Sequence, residues 1–341
     1  MAATSSATDV PPPRPLIDRV RARLAGGGLD LPALAEGRTP ERWRALADVA
    51  RADVSEARLV EAHVDAVQIL REAGRRPTDG AIYAVWASEH PRWTLTATPR
   101  ARDCWELSGA KAFCTGAGLV DRALISLWPE QAGGGPGDES LLVDVDLKVF
   151  DEGRIDRSAW VTSALADTAT AVVDLTGLQA GPDQVVGQPG WYLERPGFWD
   201  GAVGPAACWA GAAQGLVDAA RAQPPTSAHS RAHLGALVAL DWHLSSTLDS
   251  AGREIDARSG QADTDEARAT ALTVRHLIDV AGAEVQDRFA RALGPRALTA
   301  DAEIIARNDA LLIYRRQCHA EADLQVLGDL RVSRDGSTKG G

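Results

Sequence analysis

Residues 106–118, ELSGAKAFCTGAG, hold three glycines, two small hydroxyls (Ser108, Thr115) and one of the chain's three lysines (Lys111). A backbone this bare can be approached closely by another flat group; a plain β-hairpin with glycines at its turns is the simpler reading. His319, in RRQCHAEAD, carries a ring that ordinarily titrates near pH 6.5 and suits acid–base work; solvation, or pairing with Glu321, is the competing role. Asp200 stands just before a helical stretch, as a candidate carboxylate or as an ordinary N-terminal helix charge. Cys104, Cys114, Cys208 and Cys318 form neither a CxxC nor a Cys/His ligand spacing, so no disulfide framework and no zinc site is indicated. His63 and His243 fall in helical patterns and read as packing or surface residues. Trp86, Trp93, Trp105, Trp191, Trp199 and Trp209 either line a cleft or pack a short β-domain.

These residues need elements to hold them. Residues 14–79 read as helical: Leu46, Val49, Val54, Leu59, Val60, Val64, Val67 and Leu70 recur at three- and four-residue spacings, and Gly74 with Pro77 ends the run. From 80 to 190, the runs AIYAVWAS, RWTLTAT, CWELSG, RALISLW, ESLLVDVD and TAVVDLTG predict six strands of a small barrel or sandwich, with a loose loop at 133–138. Residues 196–328 return to a helical period and predict a four-helix bundle. It consists of the small-residue helix GPAACWAGAAQGLVDAARA and three long helices, the last spanning ADAEIIARNDALLIYRRQCHAEADLQVLG. Residues 1–13 read as a disordered Pro-rich leader and 329–341 as a tail.

The formal net charge of −11 argues against nucleic-acid binding, which needs clustered basic residues. No run of about 18 apolar residues predicts a membrane span, and the start lacks the basic-then-apolar pattern of a secretory signal. A reduced cytoplasm is the expected compartment.

The helix–β–helix order, together with WELSGAKAFCTGAGLVDRALIS and PDQVVGQPGWYLERPGFWDGAVGPAACWAGAAQGLVDAAR, resembles the acyl-CoA dehydrogenase family over roughly residues 40–328. The resemblance implies an α+β, mainly helical fold of N-terminal helices, a middle β-domain and a C-terminal four-helix bundle. It implies FAD. Phe113, Cys114 and Thr115 match the passage that lies against the isoalloxazine ring, and Tyr83, Val85, Trp86 and Ser88 match the strand at its pyrimidine edge. Arg221 is the cation nearest the place of the family's pyrophosphate-binding Arg, and Gly294 is what remains of the glycines that receive the adenine end from a neighbouring subunit.

The chain departs from the family pattern where the catalytic carboxylate should be. Counting eight residues on from Asp309 of Arg307-Asn308-Asp309 lands on Gln317, and an amide cannot take a proton at neutral pH. The other family position, at AVGPAAC, has no carboxylate either. His319, resembling a His of flavin monooxygenases on this fold, and Asp200 are the available substitutes. The leading expectation is a flavin-dependent oxidoreductase acting on an acyl thioester or related carbonyl compound. The alternatives are a flavin-dependent monooxygenase of the same fold, or a non-catalytic partner subunit in a heteromer with a catalytic homologue. A homodimer or homotetramer is expected in the first two cases.

Overall fold

The computed structural model describes residues 15–100, 104–130, 137–260 and 264–338. The leader read over 1–13, residues 133–136 of the expected loop and residues 339–341 lie outside the described residues.

Among the described residues three helices come first: α1 (Leu16–Ala25), α2 (Thr39–Ala52) and α3 (Val54–Glu72). The α2–α3 break falls at Asp53, whose carboxylate accepts the Glu56 N–H and caps α3. Among the described residues nine strands follow: β1 (Tyr83–Trp86), β2 (Leu95–Pro99), β3 (Trp105–Cys114), β4 (Arg122–Pro129), β5 (Leu141–Asp146), β6 (Ile155–Asp156), β7 (Ala171–Asp174), β8 (Gln179–Ala180) and β9 (Val185–Val186). They form one sheet in the order β6-β7-β3-β2-β4-β5-β9, with β1 parallel to β4 and β8 against β3. All six predicted runs contain a strand. The two-residue strands β6, β8 and β9 are too short for a period of two to register.

After two single-turn helices, α4 (Trp191–Glu194) and α5 (Phe198–Gly201), come α6 (Gly204–Arg221), α7 (Ala228–Ala257), α8 (Thr264–Leu293), the short α9 (Ala297–Ala300), α10 (Ala302–Tyr314) and α11 (Glu321–Thr338). The small-residue helix α6 is the centre of the molecule, packed by α2, α3, α7, α8 and α10. Gly211 lies so close to α2 that a Cβ there would stand 2.0 Å from the Ala47 carbonyl oxygen.

Two expectations are corrected. The helix expected to run unbroken through RRQCHAEAD stops at Tyr314. A 3-10 turn, Arg315–Gln317, follows, then an extended Cys318 and a left-handed Ala320 (φ 48°), before α11 begins. Asp323 holds this break by accepting the His319 N–H at 3.0 Å. Residues 329–338, read as tail, are helical, because α11 continues through them.

Candidate functional site

The glycine-rich passage ends β3. Between Lys111 and Cys114 its pairing with β7 shifts register, and within that bulge Phe113 adopts a left-handed φ of 58°. An aromatic residue rarely adopts this conformation, and here it turns the ring outward, leaving Phe113 50% exposed. The His90 ring stands 5.8 Å from it. Trp86 Nε1 donates to the Thr115 carbonyl at 3.0 Å, so the ends of β1 and β3 are joined.

The side chains around this junction differ in what they offer. Tyr83 is buried, with its hydroxyl on Thr78. Trp86 and Cys114 are buried in the core, and burial pushes the Cys114 thiol far up, leaving it un-ionised. Val85 is half-buried and Ser88 exposed. Thr115 Oγ1 lies 3.1 Å from Thr170 Oγ1, which lies 3.1 Å from Thr168 Oγ1; Thr168 donates to the Leu165 carbonyl at 2.7 Å. Each hydroxyl has one proton, so this chain runs from Thr115 to Leu165 and leaves Thr115 as an acceptor only.

Beneath the same passage, Lys111 Nζ is buried. It donates to Glu89 (2.7 Å) and to the Ser126 carbonyl and hydroxyl (2.9 Å each). Burial pulls its pKa down, and the Glu89 carboxylate opposes that shift. The pair ties the β1–β2 loop, with Ser88 and His90, to β3. Glu89→Ala strands a buried ammonium, so it is expected to lower stability by about 1–2 kcal/mol, more than Lys111→Met does. Urea midpoints of the two variants check the order.

The bundle-side candidates lie in two places. Asp200 is paired with Arg258 at 3.1 Å, and burial raises its pKa. The Gln317 carbonyl and the Ala202 carbonyl are held by one guanidinium, that of Arg275, which also lies over the Trp209 ring. The Gln317 turn and the start of α6 are thereby brought together. His319 is 75% exposed, and its neighbour is Asp323 (3.5 Å) rather than Glu321. Arg221 is at the other end of α6, roughly 26 Å along the helix, and is engaged by Asp241 at 2.8 Å. Gly294 follows α8 with φ 71° and open space around it.

Sequence reasoning missed Arg275 and Glu61. The one available signal for Glu61 was a charge on the buried face of α3, beside Ala57 and Val64. It packs under the α6 start with Tyr314, Cys208 and Trp43.

No protein-family model and no curated protein matches the chain. Solved structures do. The dibenzothiophene monooxygenase TdsC from Paenibacillus sp. A11-2 superposes with a TM-score of 0.72 at 15% identity, covering 94% of this chain and 95% of that one. It has also been solved with FMN and indole. A nitrososynthase from Micromonospora carbonacea var. africana gives 0.72 at 17% identity, with 94% of each chain covered. XiaF from Streptomyces sp., in complex with FADH2 and glycerol, gives 0.71 at 16%, covering 93% of this chain and 96% of that one. The chain has the acyl-CoA dehydrogenase-like fold. Identities this low carry the fold alone. Among the described residues no helix is long and apolar enough to cross a membrane.

Proposed function

We propose that the chain is a flavin-dependent oxidoreductase acting on a small organic molecule. The observation that carries this reading is the joined β1–β3 end: an outward Phe113 ring beside the half-buried Val85 and exposed Ser88, on a fold shared with structures that hold FMN or FADH2. A flat ring would lie there. Phe113 would stack on it, Val85 and Ser88 would meet its edge, and Trp86 would hold the two strand ends in register. A bound flavin would supply the electron-transfer chemistry.

The diphosphate half of FAD is less well provided for. Arg221 is already paired with Asp218 and Asp241, and Gly294 cradles nothing. A flavin with a single phosphate, FMN, or an FAD whose far end is held by a second copy of the chain, accounts for both facts. A second copy is also favoured by Val238 and the 73% exposed Trp242, one turn apart on α7. A heteromer with a catalytic homologue would cover the same face.

Two reactions remain open within this reading. An acyl thioester oxidised at its α,β-carbons needs a carboxylate base, and the 317 turn carries an amide. Oxygen transfer needs none at that position.

The test is direct. The purified chain is expected to take up FMN or FAD, and the mass of the flavin released on denaturation tells which. Phe113→Ala is expected to weaken uptake about tenfold, or about 1.4 kcal/mol. Thr115→Val is expected to weaken it less, because that hydroxyl proton is spent on Thr170. Oxygen consumption with reduced flavin, set against acyl-CoA oxidation with an artificial acceptor, separates the two reactions. Failure to bind either flavin, oxidised or reduced, sinks the reading.

A further inference from the structure

The Glu61 carboxylate on α3 reaches the start of α6. Its Oε2 accepts from Arg58 Nη1 at 3.3 Å and from the Tyr314 hydroxyl at 3.4 Å. Its Oε1 accepts no hydrogen bond among the described residues. That oxygen points at Gly204, the first residue of α6, and would lie 3.3 Å from a Cβ placed there. The absent side chain of Gly204 is what lets the carboxylate come so close. The first N–H groups of α6 have no helical acceptor, and they favour negative charge nearby.

The surroundings are short of partners as well. The indole N–H of Trp209, which packs on Tyr314, is buried with no acceptor among the described residues, and so is that of Trp43, whose opposite edge meets Gly204. Buried donors without acceptors call for a water or a ligand atom. The Glu61 side chain keeps 8% of its surface open. Arg275 couples this neighbourhood to the Gln317 turn.

We propose that Glu61 faces the molecule bound beside the flavin and is its proton-exchanging group, with Oε1 taking the proton that no residue of the 317 turn can take. This rests on the flavin-site reading above. In the step, the bond from a weakly acidic group of the bound molecule to its proton breaks, that group keeps the electron pair, and the proton bonds to Oε1. The carboxylate becomes a carboxyl, and no oxidant enters the step.

The titratable groups facing Glu61 are Arg58 and Asp65 on its own helix, Cys208 on α6, Arg275 on α8 and Tyr314 on α10. Burial outweighs the cations and raises its pKa to about 7, so both protonation states are populated near neutrality, where a proton exchanger works best.

The experiment uses the full chain in two states. Without flavin, isotope-edited infrared titration is expected to show one carboxyl with a midpoint near pH 7, lost in Glu61→Gln. In Tyr314→Phe the midpoint should move up, because a hydrogen bond to the charged form is gone. With FMN or FAD bound, the flavin absorbance is expected to respond to pH with that same midpoint in the wild type. In Glu61→Gln the response should be absent, while flavin affinity changes by less than about threefold. A missing carboxyl titration, an unmoved midpoint in Tyr314→Phe, or an identical flavin response in Glu61→Gln overturns the proposal while leaving the flavin reading intact. Absence of flavin binding in every variant overturns the flavin reading, and the cleft assignment of Glu61 with it.

Discussion

Gly211→Ala is expected to lower the stability of the chain by about 3 kcal/mol or more. Two helix backbones meet at this position. A Cβ on Gly211 would sit 2.0 Å from the Ala47 oxygen, 2.7 Å from its carbonyl carbon and 2.8 Å from its Cα. None of these is the end of a flexible side chain, so α2 and α6 must separate. Because α6 is the hub on which α2, α3, α7, α8 and α10 pack, that separation loosens several interfaces together. A contrasting glycine isolates the cause. Gly235 lies within α7, with nothing within 4 Å of its Cβ position, so Gly235→Ala is expected to stabilise by about 0.5–1 kcal/mol through helix propensity alone. Urea unfolding of both variants, read at the midpoint with an unchanged slope, measures the difference. Equal midpoints for the two would mean that the α2–α6 crossing is not close-packed.

A change in the pH dependence of stability is expected in Glu61→Gln. Two residues apart on α3, burial displaces two titrations in opposite directions. His63 is held neutral: its Nδ1 accepts the Tyr83 N–H at 3.1 Å, and burial pushes its pKa down to about 4, with Asp30 opposing. The unfolded chain therefore binds this proton first as pH falls, and stability is lost between about pH 6.5 and 4. Glu61 is raised to about 7 by burial, so the folded chain keeps its proton longer, and stability is lost as pH rises from about 4.5 to 7. Each contribution is on the order of 3 kcal/mol. Across their shared range the two slopes oppose each other, and together they leave a nearly flat profile there. Glu61→Gln removes one of them. Stability should then fall steadily with acid from pH 6.5 to 4, and His63→Gln should give the mirror slope. Parallel profiles in wild type and Glu61→Gln would show that the carboxyl is not displaced by burial.

Much of the architecture was legible along the chain because it is written in local periodicity. Helical spacing in 14–79 and after 196, and β-branched runs between 80 and 190, survive as α1–α3, the sheet and the bundle. The Ala- and Gly-rich composition of α6 already implied that something must approach it closely. The passage at 106–118 identified the β3 end, and Trp86 and Thr115 meet there.

What escaped the sequence depends on partners distant in the chain. The break after Tyr314 is decided by the Asp323 cap and a left-handed Ala320 inside a stretch whose residue types all suit a helix. Thr115 reads as a free hydroxyl until Thr170, 55 positions on, takes its proton. Arg221 reads as a free cation until α7 folds back and places Asp241 beside it. A glutamate on α3 is one of many acidic residues on one of many helices. Only packing against Gly204, some 140 residues later, takes most of its surface from water. Periodicity is a property of neighbours in sequence and specifies elements. Desolvation and hydrogen-bond allocation are properties of neighbours in space, so the protonation and availability of these groups were decided by the tertiary fold.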